Sequence, residues 1–143
     1  MTDSETIEVN VTHLSNYRNR IVAKNHTIIT DEPEESGGEG LAINPIELVL
    51  GAEGSCTVTV LMMFARKMKY DLSDVRIKLV HKRVRAEPPL KGYAHKIEKT
   101  VKFIGNLDEE QLEELKRVSM RCPVHKMLEE KTLFDFLFDH SKE

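Results

Sequence analysis

Two cysteines, the only ones in the chain, stand in sharply different settings. Cys56 lies inside an apolar run, with Gly51, Ala52, Gly54 and Ser55 before it and Val58, Val60 and Leu61 after it. Cys122 opens Cys122-Pro-Val-His-Lys-Met-Leu128, where a proline at the next position marks a helix start. Unpaired backbone N–H groups at such a start favour a thiolate. One thiol inside a small-residue helix and another at a helix N-terminus suggest a pair with divided labour, one reacting and the other resolving. The same residues also allow a blander reading, in which Cys56 packs as a small hydrophobe and Cys122 merely caps. Cys122-x-x-His125 has a metal-ligand spacing, but no second pair exists to complete a site.

Glu53 lies three residues before Cys56, on the same helix face. An ionised carboxylate there opposes a thiolate unless an arginine or lysine neutralises it. The sequence leaves open whether Glu53 serves the thiol or weakens it. The other histidines are scattered, and Met62, Met63 and Met68 read as core filling. His81-Lys-Arg-Val-Arg85 reads as an exposed strand end.

The elements that must position these groups can be read from periodicity and punctuation. Ile7 to Val11 and Arg20 to Thr30 alternate apolar with polar residues and read as early strands. The acidic, glycine-rich segment from Asp31 to Gly40 reads as a mobile loop. Asn44-Pro-Ile-Glu47 then announces a helix: Asn44 caps, Pro45 suits the first turn, and Glu47 returns a hydrogen bond to the cap. That helix should run to about Met68, as a core helix rather than a membrane span. Asp74 to Val84 and a strand starting near Ile97 form a long-looped hairpin broken at Glu87-Pro-Pro-Leu-Lys-Gly92. A helix should follow Asn106-Leu-Asp108, a short one should span Pro123 to Glu129, and Thr132 to Asp139 should close the chain as a strand with Phe134, Phe136 and Phe138 on one face.

This order gives an α+β fold. With 143 residues and 40% hydrophobic content the chain is long enough for one core, so a single domain over residues 1–143 is expected. A net charge of −3 gives no electrostatic case for nucleic acid. The polar, acidic start from Met1 to Glu5 does not read as a signal peptide. A cytoplasmic address with no membrane partner follows as the expectation, and in that compartment two cysteines suit redox chemistry better than a permanent staple.

Asn44-Pro-x-Glu-Leu-x-Leu, Gly54-Ser-Cys-Thr57 and Cys122-Pro-Val-His-Lys-x-Leu128 together resemble the OsmC/Ohr family, the osmotically inducible protein C and organic hydroperoxide resistance proteins. The match spans most of the chain in the right order, and the Gly-Ser-Cys-Thr motif resembles the broader OsmC-like branch. The resemblance implies an intertwined homodimer with sites at the subunit interface, acting as a thiol peroxidase on organic hydroperoxides or hydrogen peroxide without cofactor or metal. Cys56 would become a sulfenic acid and Cys122 would condense with it to a disulfide, which an external dithiol reduces. It further implies an arginine from the N-terminal strands that holds the thiolate, at Arg18 with Arg20 as the alternative, oriented by Glu47. The glutamate of Ohr-type members falls at Ile46 here, and Glu47 stands one residue later, about 100° around the helix. Two rival readings remain: a binding protein of the same fold that holds an apolar ligand or a protein in the interfacial groove, and a metal-dependent hydrolase built on Cys122 and His125.

Overall fold

The computed structural model describes residues 6–142, so the polar start from Met1 to Glu5 lies outside the described residues. The chain is α+β, with five strands and three α-helices among the described residues, in the order expected from the sequence except at the far end. It divides into two compact units, residues 1–51 and 52–143.

In the first unit, β1 (Asn10–Ser15), β2 (Arg18–Ala23) and β3 (His26–Thr30) form an antiparallel meander in that order. The run from Arg20 to Thr30 is thus two strands rather than one. Lys24 takes a positive φ of 55° at the turn between them, and the register pairs Ala23 with His26. The segment after β3 is organised, contrary to its composition. Asp31, at 1% exposure, accepts backbone N–H bonds from Glu32, Glu39 and Leu41 at 2.8, 3.3 and 3.2 Å. A short 3-10 turn at Glu34–Ser36 lies within the closed loop. Burial raises the Asp31 carboxyl, but those three N–H bonds and the nearby Arg18 charge outweigh it and hold the group below its usual range. One buried aspartate supplies the order that glycines and glutamates alone would not.

Helix α1 (Pro45–Met68) starts as its sequence dictates. Glu47 N–H donates to Asn44 Oδ1 at 2.8 Å and Asn44 N–H donates to Glu47 Oε1 at 3.1 Å, a closed capping box. By length and composition α1 would suffice to cross a membrane. One stripe of it, Glu53, Gly54, Thr57, Leu61 and Ala65, is buried within the chain, while Ile46, Val49 and Met63 are exposed.

The second unit adds the hairpin β4 (Asp71–Arg85) and β5 (Tyr93–Asn106), then α2 (Glu109–Val118) and α3 (Pro123–Glu129). Both strands are longer than their apolar periodicity suggests, because the ladder runs from Asp71↔Asn106 to Arg85↔Tyr93 through the polar ends. Leu61, Ala65, Leu72, Val75, Leu115 and Val118 make the core. Gly54 lets α1 lie close on the hairpin: a Cβ there would come within 2.8 Å of Leu79 Cδ1. Helix α2 is fixed by a second capping box, Asp108 with Gln111.

The expected final strand from Thr132 to Asp139 is not a strand in the described residues. Its alternation is real, since Phe134, Phe136 and Phe138 stack in succession with centroids 6.3 Å apart. Among the described residues no strand pairs with it, and Leu137 and Phe138 are both 91% exposed.

Candidate functional site

The cysteine helix and the start of α3 bring Cys56 and Cys122 close enough to influence each other's titration, and both are free thiols. Cys122 is fully buried, whereas Cys56 is half-buried on α1. Cys122 caps α3 as its proline foretold: its Sγ accepts from the His125 N–H at 3.5 Å, and faces the Glu53 backbone carbonyl at 3.9 Å.

The two thiols are electrostatically unlike. Burial pushes Cys56 up, the hydrogen bond it shares with Cys122 and the charges of Cys122 and Glu53 add to this, and only the Val124 amide opposes. Burial also raises Cys122, but hydrogen bonds from Cys56, the His125 amide, Thr57 and the Val124 amide outweigh it and bring that thiol down.

Glu53 is the centre of a buried polar cluster. Its side chain is 2% exposed, and Lys99 Nζ donates to Oε1 at 2.6 Å. The same ammonium reaches Thr57 Oγ1 at 3.1 Å and the Ser119 carbonyl at 3.5 Å. Thr57 Oγ1 lies 3.0 Å from the Glu53 carbonyl and 3.4 Å from Glu53 Oε1. His125 Nδ1 faces Glu53 Oε1 at 3.6 Å and Nε2 faces Glu129 at 2.7 Å. Both His125 ring nitrogens are thus directed at carboxylates. Glu53 Oε2 has no hydrogen-bond partner among the described residues.

The question that the sequence leaves open at Glu53 has its answer in Lys99, which the sequence reading missed. A signal existed. Ile97, Lys99, Val101 and Phe103 share one parity on β5, so Lys99 sits in the apolar row of its strand, opposite Leu79. A lysine in such a row is almost never buried without a partner.

Arg18 and Glu47 belong to the first unit. Arg18 is half-buried on β2 and its Nε is shut from solvent without a hydrogen-bond partner among the described residues, whereas Arg20 is exposed. The carboxylate whose titration responds to Arg18 is Asp31. Glu47 spends Oε1 on the capping box and is exposed.

A model of the OsmC-like protein family matches residues 37–136, which include both cysteines. Among solved structures the chain is similar to an OsmC-like protein of Mycoplasma pneumoniae, with a TM-score of 0.71 at 15% identity over 88% of this chain and 89% of that one. It is similar to an organic hydroperoxide resistance protein OsmC of Legionella pneumophila, with a TM-score of 0.66 at 20% identity over 89% and 91%. A hypothetical protein of Aquifex aeolicus VF5 gives a TM-score of 0.68 at 28% identity over 87% and 88%. No curated protein sequence matches the chain.

Proposed function

The chain belongs to the OsmC-like protein family, and on that footing we propose that it is a cytoplasmic thiol peroxidase that reduces organic hydroperoxides or hydrogen peroxide in oxidative stress defence. The observation that carries this reading is the contact between two free thiols of unequal access. Cys56 is the one a peroxide can approach. Its thiolate attacks one peroxide oxygen, the O–O bond breaks, and the other oxygen leaves as alcohol or water after taking a proton, with Cys56 now a sulfenic acid. Cys122 then closes the disulfide with loss of water, and an external dithiol restores both thiols. The name of the Legionella protein supports a hydroperoxide as the substrate class. Peroxide consumption driven by a small dithiol tests the proposal directly, and its absence at every peroxide tried would leave the rival reading, an apolar-ligand or protein-binding member of the same family.

Cys56 needs help to ionise, because burial, Cys122 and Glu53 all act against its thiolate. Lys99 is committed to Glu53 and is not free to serve Cys56 as well. We assign the activating cation to Arg18, oriented by Glu47 through the carboxylate oxygen that the capping box does not use. A half-buried guanidinium with an unpartnered N–H suits this role better than the exposed Arg20. Arg18→Ala should raise the Cys56 titration midpoint and slow its reaction with peroxide about 10²-fold, as expected for one preorganised electrostatic partner. Arg20→Ala is the control. Unchanged titration and rate in Arg18→Ala would remove Arg18 from the site.

The active form is proposed to be a homodimer of single-domain 143-residue chains. Two features support it: the exposed apolar face of α1, with Ile46, Val49 and Met63, and the unpaired aromatic run near the end. Sedimentation should give a dimer at micromolar concentration. A stable folded monomer there would refute this.

A further inference from the structure

We propose that His125, held as an imidazolium between Glu53 of α1 and Glu129 of its own helix, is the positioning residue that clasps α3 to the cysteine helix and so keeps Cys122 within bridging range of Cys56. The inference rests on the thiol-peroxidase reading for its purpose, and on the geometry of α3 for its content. Helix α3 has seven residues, too few to hold a helix together unaided in water. Its packing is thin: Val124 and His125 are half-buried and the other five residues are exposed. Yet Cys122 at its N-cap is fully buried, with Sγ 3.9 Å from the Glu53 carbonyl. Cys56 follows Glu53 by three residues on the same face of α1. A force besides apolar burial must keep so short a helix seated with its sulfur at that depth.

His125 is placed to supply it. Its Nδ1 faces Glu53 Oε1 at an ion-pair distance of 3.6 Å, and its Nε2 meets Glu129 Oε2 at 2.7 Å. An ionised carboxylate only accepts, so both ring nitrogens are matched only when both carry hydrogen. Lys99 from β5 reaches the same Glu53 oxygen at 2.6 Å. Two cations therefore converge on one carboxylate, and Glu129 on the far side of the ring offsets the second. Glu53 thereby ties three elements together at one atom: its own helix, β5 and α3. The inner end of the clasp is dry, since the Glu53 side chain is 2% exposed, whereas Glu129 steadies the ring from the solvent side. The ring acts on Cys122 through the helix that both residues belong to, which makes His125 a positioning residue.

The test uses the full chain, equilibrated with reduced and oxidised glutathione and without peroxide. Cys56 and Cys122 close their S–S bond by passing two electrons and two protons to glutathione disulfide, which leaves as two glutathione thiols. His125→Gln should lower the equilibrium constant for that closure about tenfold, the effect of losing one contact to a charged group. That is a rise of about 30 mV in the reduction potential of the pair. Glutamine is the better helix former, so helix propensity would push the other way. Hydrogen exchange on the reduced protein gives the local readout. The Lys126 and Glu130 amides, which bond the Cys122 and Lys126 carbonyls, should lose about tenfold in protection while those of Leu61 and Ala65 in α1 keep theirs. Glu129→Gln, at an exposed position, should move both readouts in the same direction, and it decides the matter if His125→Gln does not fold. An unchanged closure constant, or a loss of protection shared equally by α1, would overturn the assignment. A chain that closes its disulfide as described yet consumes no peroxide would retire the peroxidase reading and leave the clasp standing.

Discussion

Cys56→Ser abolishes dithiol-driven peroxide consumption, and Cys122→Ser consumes one equivalent and then stops: this is the largest effect expected of any substitution in the chain. A serine hydroxyl at position 56 remains protonated at neutral pH and has no sulfur to oxidise, so the first step has no nucleophile. Cys122 cannot stand in, because it is fully buried beneath Cys56 and the Glu53 carbonyl. Without Cys122, the sulfenic acid at Cys56 forms but finds no neighbouring thiol, and excess peroxide drives it up the ladder to sulfinic acid. Stopped-flow measurement of the first turnover, followed by mass spectrometry for added oxygen at position 56, separates the two variants. Complete loss of the first turnover in both, or a normal first turnover in Cys56→Ser, would reverse or erase the division of labour.

Lys99→Met should destabilise the fold by about 3–5 kcal/mol, the cost of leaving a buried charge unpaired. Glu53 is 2% exposed and its Oε2 has no partner among the described residues, so losing the 2.6 Å bond to Lys99 strips its carboxylate of the ammonium that pairs with it. Thr57 Oγ1 and the Ser119 carbonyl lose a donor at the same time. The double variant Glu53→Gln with Lys99→Met should recover much of the loss, because it removes the charge rather than abandoning it. Urea unfolding at fixed protein concentration checks this, concentration being held because the proposed dimer would otherwise enter the midpoint. A single-variant cost below about 1 kcal/mol, the size typical of an exposed pair, would mean that solvent reaches Glu53 after all.

The site was legible wherever its geometry is local. Asn44 with Glu47, and Cys122 with Pro123 and His125, fall within three residues of one another, so the capping geometry that places them is written in consecutive letters. The element order and the α+β class follow from the same short-range signals, and the ends of α1 and α3 lie where caps and breakers put them. Lys99 was not legible in that way, because its partner Glu53 lies on another element and the pairing exists only once the hairpin packs on α1. Asp31 was missed for a related reason: a lone aspartate in an acidic stretch gives no hint that three backbone amides will turn inward upon it. The terminal run shows the opposite failure. Its alternation is present in the structure, but periodicity describes what a segment could pair with and not whether a partner is present.

That run also bears on how the protein behaves in a tube. Thr132 to Asp139 combines three stacked phenylalanines on one face with leucine and aspartate alternating on the other, and contains no proline. Such a stretch, left uncovered, is the kind that seeds cross-β aggregates. Asp135 and Asp139 are then gatekeepers, because like charges would stack at each repeat of a growing fibril and oppose its extension. Their exchange for asparagine would remove the brake, so colloidal stability in this chain depends on two terminal carboxylates.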